Sequence, residues 1–250
     1  MKGLVRAHAR IFRESDTVKR IPRRPNQSLR DFPTYTIPEA ALYLGIPVRT
    51  LRYWVLDHPI WPVAGREMST PLLSFRDVAQ AYYVELVRKH FSLTTLQTRR
   101  VMEAAAKESK SPYPLLKNNI KLFYKHVVMD KPARGKQPRR IIDLSHNRQL
   151  ALPAIIDSVA TRIRWDSHQE PTQLFPWRHW TGPGDDARPV SMRPDVMSGR
   201  LVIAGTRIPV QTVLLRSTNE SISAIAKDYE LPERSIQQAL SHFGVSKKAA

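Results

Sequence analysis

Thr36-Ile37-Pro38-Glu39-Ala40-Ala41-Leu42-Tyr43-Leu44-Gly45-Ile46-Pro47-Val48-Arg49-Thr50-Leu51-Arg52-Tyr53-Trp54 contains two short helical patterns arranged around one glycine. Thr36 with Glu39 three residues on has the form of a capping box, the hydroxyl accepting an amide of the first turn. Ile37, Ala40, Ala41 and Leu44 then follow the i, i+3, i+4, i+7 stripe of a helix. Gly45 falls where a left-handed turn needs a residue without Cβ. Pro47 suits the first turn of a second helix with Val48, Leu51 and Val55 inward. Two short helices about a tight turn make a helix-turn-helix. Its outer face carries Arg49, Thr50, Arg52 and Tyr53, with Arg66 in the following loop and Arg76 just beyond. Arginine takes a guanine edge or a phosphate, and Thr and Tyr hydroxyls anchor phosphates, so this face suits a nucleic-acid groove. The alternative is a solvated helix face.

Outward from this unit, Pro59, Pro62 and Pro71 close it, and residues 61–73 form a loop or small hairpin. A longer helix is predicted over 75–90 with Val78, Tyr82, Tyr83 and Leu86 inward, and another over about 93–107 capped by Ser92. Ser111-Pro112-Tyr113-Pro114 breaks the helical run and marks a domain edge. Residues 1–34 are rich in Arg and Lys and carry Pro22, Pro25 and Pro33, as in a flexible arm or one that lies along phosphates. Short β-leaning runs follow at 126–129, 140–144 and 149–152, with a basic tip over 131–140, a helix from 153 to about 162 and a strand at 163–166. Residues 177–189 read as a linker. Further on, 201–203 and 207–210 flank Ala204-Gly205-Thr206 as a β-hairpin. Ser221 then caps a helix with Ile222, Ile225, Ala226 and Tyr229 on one face, and Pro232 opens another with Ile236, Ala239, Leu240 and Phe243.

This second two-helix unit is nearly neutral outside, at Glu233, Arg234, Gln237, Gln238 and Ser241. Glu230 and Glu233 near its helix start favour the helix dipole and repel a phosphate. It is expected to support a protein contact, either self-association or a partner. The expected fold class is α+β, in four parts. They are a basic arm (1–34), a winged helix-turn-helix (35–110), a small mixed β/α connecting segment (115–180) and a β-hairpin plus two-helix domain (190–245).

Composition agrees with a nucleic-acid partner. The 250 residues hold 40 Lys plus Arg against 22 Asp plus Glu, a formal net charge of +18. With no cysteine, disulfides, thiolate catalysis and Cys-containing zinc sites are excluded. No apolar run approaches the roughly 20 residues needed to cross a bilayer, and the first twelve residues lack a signal-like apolar core. A soluble cytoplasmic protein without a membrane role is expected. The eight His residues show no metal-binding spacing, and no phosphate-binding glycine loop or nucleophile elbow is present. Asp185-Asp186 reads as a solvated pair. Phe175, Trp177 and Trp180 either stack bases or anchor the linker to a core. No catalytic residue, metal ligand or cofactor is expected, and the chain is not expected to be an enzyme.

Tyr35-Thr36-Ile37-Pro38-Glu39-Ala40-Ala41, Leu44-Gly45-Ile46 and Thr50-Leu51-Arg52-Tyr53-Trp54, with Ser74-Phe75-Arg76-Asp77 and Phe91-Ser92-Leu93, resemble the MerR family of winged helix-turn-helix regulators. That resemblance implies Arg52 and Tyr53 on phosphates, Arg49 in the groove and Arg66 on the wing. The long dimerising coiled coil of better-known MerR regulators is not visible. Pro194-Asp195-Val196-Met197-Ser198-Gly199-Arg200 and Ile203-Ala204-Gly205-Thr206-Arg207-Ile208-Pro209-Val210, with Ser221-Ile222, Ile225-Ala226 and Asp228-Tyr229, resemble the domain of unknown function numbered 433, a family associated with antitoxins. The pair of resemblances is similar to larger antitoxins of the VapB type. It implies a homodimer on double-stranded DNA that represses its own operon and neutralises a PIN-like ribonuclease toxin. A MerR-like transcriptional regulator without a toxin is the alternative.

Overall fold

A computed structural model of the protein describes residues 28–90, 92–116, 120–123, 126–131, 140–143, 162–179 and 187–245. Most of the basic arm, the tip over 132–139, the strand at 149–152, the helix from 153, Trp180 and the Asp185-Asp186 pair lie outside the described residues.

β1 (Tyr35–Thr36) leads into α1 (Ile37–Leu44), with the Glu39 amide donating to the Thr36 hydroxyl at 3.2 Å. The predicted stripe is buried, and Gly45 is left-handed at φ +68°. After Pro47 comes α2 (Val48–Arg52), continued by a wider helical turn over Tyr53–Asp57. Here the predicted inward face is corrected at one end: Leu51 and Val55 are fully buried, but Val48 is 42% exposed and Trp54 fills the core instead. Val48 lies in the first turn, before the helix meets the core, and the packed i, i+3, i+4 set is Leu51, Trp54 and Val55.

β2 (Leu72–Leu73) returns antiparallel to β1, with Tyr35 opposite Leu73, and Gly65 bridges to Leu72. Of the two readings of 61–73, the small hairpin-like loop is the one adopted. It is fastened by Asp77 in the first turn of α3 (Phe75–His90), whose predicted inward residues are all buried. The next helix starts later than expected: α4 (Thr95–Ser109) is capped by Thr94, and Ser92 is left-handed at φ +50°. Thr94 and Gln97 complete a reciprocal capping box, with Gln97 N donating to Thr94 Oγ1 at 3.3 Å and Thr94 N to Gln97 Oε1 at 2.9 Å. Ser92 has only Thr95 at the corresponding position and cannot form one.

The middle of the chain holds β3 (Ile120–Phe123), β4 (His126–Lys131) and β5 (Arg140–Asp143) in an antiparallel sheet of that order, with Lys131 opposite Arg140. β6 (Ile163–Trp165) pairs with β7 (Pro171–Leu174), a strand not expected from sequence because Pro and alternating polar residues mark edges and turns equally well. β8 (Val190–Ser191) pairs with β9 (Val202–Ile203). The hairpin read at 201–210 forms as a short one. Its turn closes with Thr206 N donating to Ile203 O at 3.0 Å, and its arms are joined by Ile203 N donating to Ile208 O and Val210 N to Leu201 O, both at 3.0 Å, around an antiparallel bridge between Val202 and Pro209. The second arm runs directly into α5 (Val210–Arg216), a helix not expected from sequence, which has no side-chain cap and buries Val210, Val213 and Leu214. α6 (Ile222–Asp228), capped by Ser221, and α7 (Glu233–Ser241) follow, with Ile236, Ala239, Leu240 and Phe243 buried as predicted.

The architecture is mixed α and β. One contiguous apolar cluster runs from Tyr35 to Val245 and includes Leu115, Leu116, Met129, Ile163 and Leu174. The break at 111–114 turns the chain into a buried 3₁₀ turn, Pro114–Leu116, which stays in that core. Long-range polar ties add to it. Tyr35 donates to Gly199 O at 2.8 Å, and the Trp177 amide donates to the Tyr82 hydroxyl at 3.1 Å. His242 Nε2 lies 2.8 Å from Tyr43 O. No helix among the described residues is long and apolar enough to cross a membrane.

Candidate nucleic-acid interface

The back of α2 is locked by fully buried Leu51, Trp54 and Val55, which leaves its front at the surface. Arg49 and Arg52 are exposed there, Thr50 is half-buried and Tyr53 is exposed. Arg52 Nε stands 4.0 Å from Asp57 Oδ1 with both side chains at least half exposed, a contact too solvated to tie the guanidinium down. The Tyr53 ring leans on His58 at 4.7 Å between centroids. Two more arginines gather at the end of the same turn. Arg66 Nη2 donates to Leu56 O at 3.3 Å, and Arg99 Nη2 donates to His58 O at 3.1 Å. Both satisfy carbonyls left open where the helical turn ends.

Arg49, Thr50, Arg52, Tyr53 and Arg66 therefore share one region, and Arg99 joins it from α4. Nothing in the sequence signals Arg99, because its contact spans 41 positions of the chain. Arg76 stands apart. Its guanidinium lies 2.5 Å from Asp31 and 2.5 Å from Glu170, is 19% exposed and faces the Tyr113 ring at 5.9 Å. Two carboxylates hold it inside the fold.

The loop carrying Arg66 is anchored by Asp77. That carboxylate accepts from Trp61 Nε1 at 3.1 Å, the Ser74 hydroxyl at 2.7 Å, the Ser74 amide at 2.9 Å and the Ala64 amide at 3.4 Å. Burial pushes its pKa up, and the donors pull against that shift. Behind α2, Arg88 stacks on Trp54 at 6.0 Å while paired with Glu85.

The outer face of α7 is different. Glu233 and Arg234 are exposed, Gln237, Gln238 and Ser241 are half-buried, and Ser241 O meets His179 Nε2 at 2.9 Å. The aromatic residues before it are engaged in packing. Phe175 is buried, with the Arg164 and Arg188 guanidinium groups over its ring at 5.4 and 5.2 Å, and Trp177 stacks on His242 at 6.0 Å. No group of three or more His, Asp or Glu among the described residues is placed to hold a metal ion.

Residues 190–242, from β8 through α7, match the family described as a protein of unknown function (DUF433). No curated protein matches the chain. Among solved structures, the X-ray crystal structure of Rv2018 from Mycobacterium tuberculosis is similar, with a TM-score of 0.56 over 83% of this chain and 97% of that one. The two sequences are 17% identical, so the likeness is one of fold.

Proposed function

We propose that this chain binds double-stranded DNA through the outer face of α2 as a homodimer. In this reading it serves as the antitoxin and autoregulator of a toxin-antitoxin module whose toxin is a PIN-like ribonuclease. α1 and α2 act as a helix-turn-helix, with the loop between Gly65 and Leu72 as the wing. The observation that carries the DNA-binding half is local. Two exposed arginines on α2 and the exposed Tyr53 in the turn that continues it share a segment anchored by the fully buried Leu51, Trp54 and Val55, so a cationic face meets solvent. The net charge of +18 adds long-range attraction to a polyanion. The toxin-binding half is supported by the resemblance of the C-terminal unit to antitoxin-associated domains and by the weak charge of the α7 face.

Binding to the chain's own upstream DNA, measured across a salt series, tests the first half. Arg52→Ala should lower the salt slope by roughly one unit for one lost phosphate contact. Arg49→Ala should relax sequence preference at a cost of about 1–3 kcal/mol. If neither variant changes affinity or slope, α2 is not the reading element. Co-expression with the product of the adjacent gene tests the second half. A co-eluting complex that rescues growth supports the antitoxin, and DNA binding without a complex supports the regulator that lacks a toxin.

A further inference from the structure

Away from α2, a pocket of about 480 Å³ opens between the segment 28–30, the β6–β7 hairpin and residues 193–195. Three arginines line it: Arg30, Arg164 and Arg193. Arg30 is paired with Asp166 at 3.0 Å, and Arg193 is paired with Asp195 through two contacts at 3.1 and 2.6 Å. Arg164 meets no carboxylate among the described residues. Its guanidinium rests on the Phe175 ring at 5.4 Å, which orients it without neutralising it. The Arg193–Asp195 pair is about half exposed on both sides, and an incoming carboxylate can exchange with Asp195 at little cost. Asp195 itself lines the pocket, and the rest of the wall is apolar or weakly polar, with Leu29, which is 43% exposed, Pro171 and Pro194.

We infer that this pocket captures a protein segment that carries a carboxylate beside an aliphatic side chain. The aliphatic group covers Leu29 and the prolines, and the carboxylate completes the coordination of Arg164 and Arg193. A nucleic-acid strand fits less well. It brings a charge on every unit to a wall that already holds Asp195, whereas a single carboxylate has only Asp195 to exchange with. The pocket is also concave and of a size for two or three side chains rather than a duplex. The inference stands apart from the α2 reading, since none of its residues belongs to that face.

The test uses the full chain and a short fluorescein-labelled peptide with one Asp flanked by Leu, followed by fluorescence anisotropy. Saturable binding is expected. Arg164→Gln should weaken it roughly tenfold, as expected for a lost charge-assisted bond, and adding Arg193→Gln should weaken it further. Arg52→Ala should leave it unchanged. Peptides with Asn for Asp, or Gly for Leu, should bind at least tenfold more weakly. Thermal unfolding checks that each variant is folded, and Leu29→Ala gives a second, uncharged probe of the same wall. Equal binding of the Asn or Gly peptide, indifference to Arg164→Gln, or loss of peptide binding on Arg52→Ala would overturn the assignment. So would a labelled oligonucleotide whose binding falls on Arg164→Gln while peptide binding does not.

Discussion

Acidification should destabilise this protein through His242. The imidazole is fully buried, its Nε2 is 2.8 Å from the Tyr43 carbonyl oxygen, and its Nδ1 has no hydrogen-bond partner among the described residues. A carbonyl only accepts, so Nε2 carries the proton of the neutral ring. A second proton would have to sit on Nδ1, where nothing described receives it. Burial chiefly, with Arg178 and His179 nearby, pushes the pKa down to about 3, against 6.5 in an unfolded chain. The folded state thus binds fewer protons than the unfolded state between those values. The stability is complete above the unfolded pKa and is lost as pH falls toward 3. Linkage places the loss between about pH 7 and about pH 5 at roughly 2 kcal/mol. Asp166, Asp195 and Glu220 have pKa values held below their ordinary range by Arg or backbone partners, so their losses come at lower pH. The raised Asp77 acts in the opposite direction in every variant. Urea unfolding of wild type and His242→Gln at both pH values isolates the histidine. The glutamine amide can still donate to Tyr43 O but does not titrate, so the variant should be less stable at neutral pH and lose less on acidification. Parallel losses in the two proteins would refute the assignment.

Three further outcomes follow from the fold. Asp77→Ala leaves the Trp61 indole N–H and the Ser74 amide without their acceptor, and should cost on the order of 3 kcal/mol in denaturant unfolding, with altered Trp61 fluorescence. Gly199→Ala places a Cβ on the Tyr35 hydroxyl at a residue with φ +84°, and should cost about 2 kcal/mol. Combining it with Tyr35→Phe should cost less than the sum of the two single changes in a double-mutant cycle, because one steric conflict is shared. Arg76→Ala should lower stability by about 1–2 kcal/mol through loss of its pairs with Asp31 and Glu170, yet leave the salt slope of DNA binding unchanged.

Much of the helical layout was legible because its signals are local. The span of α3, the stripe of α1, the Gly45 turn, and the caps at Thr36 and Ser221 each rest on residues within about one or two turns of one another. Where two local signals compete, the reading slips. Ser92 and Thr94 both look like caps, and only Gln97 decides between them. Short elements escape when no cap or turn marks them: α5 has no side-chain cap and begins where the hairpin arm ends, and β7 has only four residues.

The candidate site divides along the same line. Arg49, Arg52 and Tyr53 were legible as an outer face because Leu51 and Val55 mark the inner one within the same two turns. No periodicity shows that Arg76 is held by carboxylates at positions 31 and 170, that Arg99 reaches the carbonyl of His58, or that two guanidinium groups lie over the Phe175 ring. Sequence alone determined which faces turn inward and where helices begin, since hydrogen bonds to neighbouring amides and burial stripes are short-range. Only the tertiary structure decided which charges remain free. An arginine's availability depends on the carboxylates and carbonyls that folding brings beside it from distant parts of the chain.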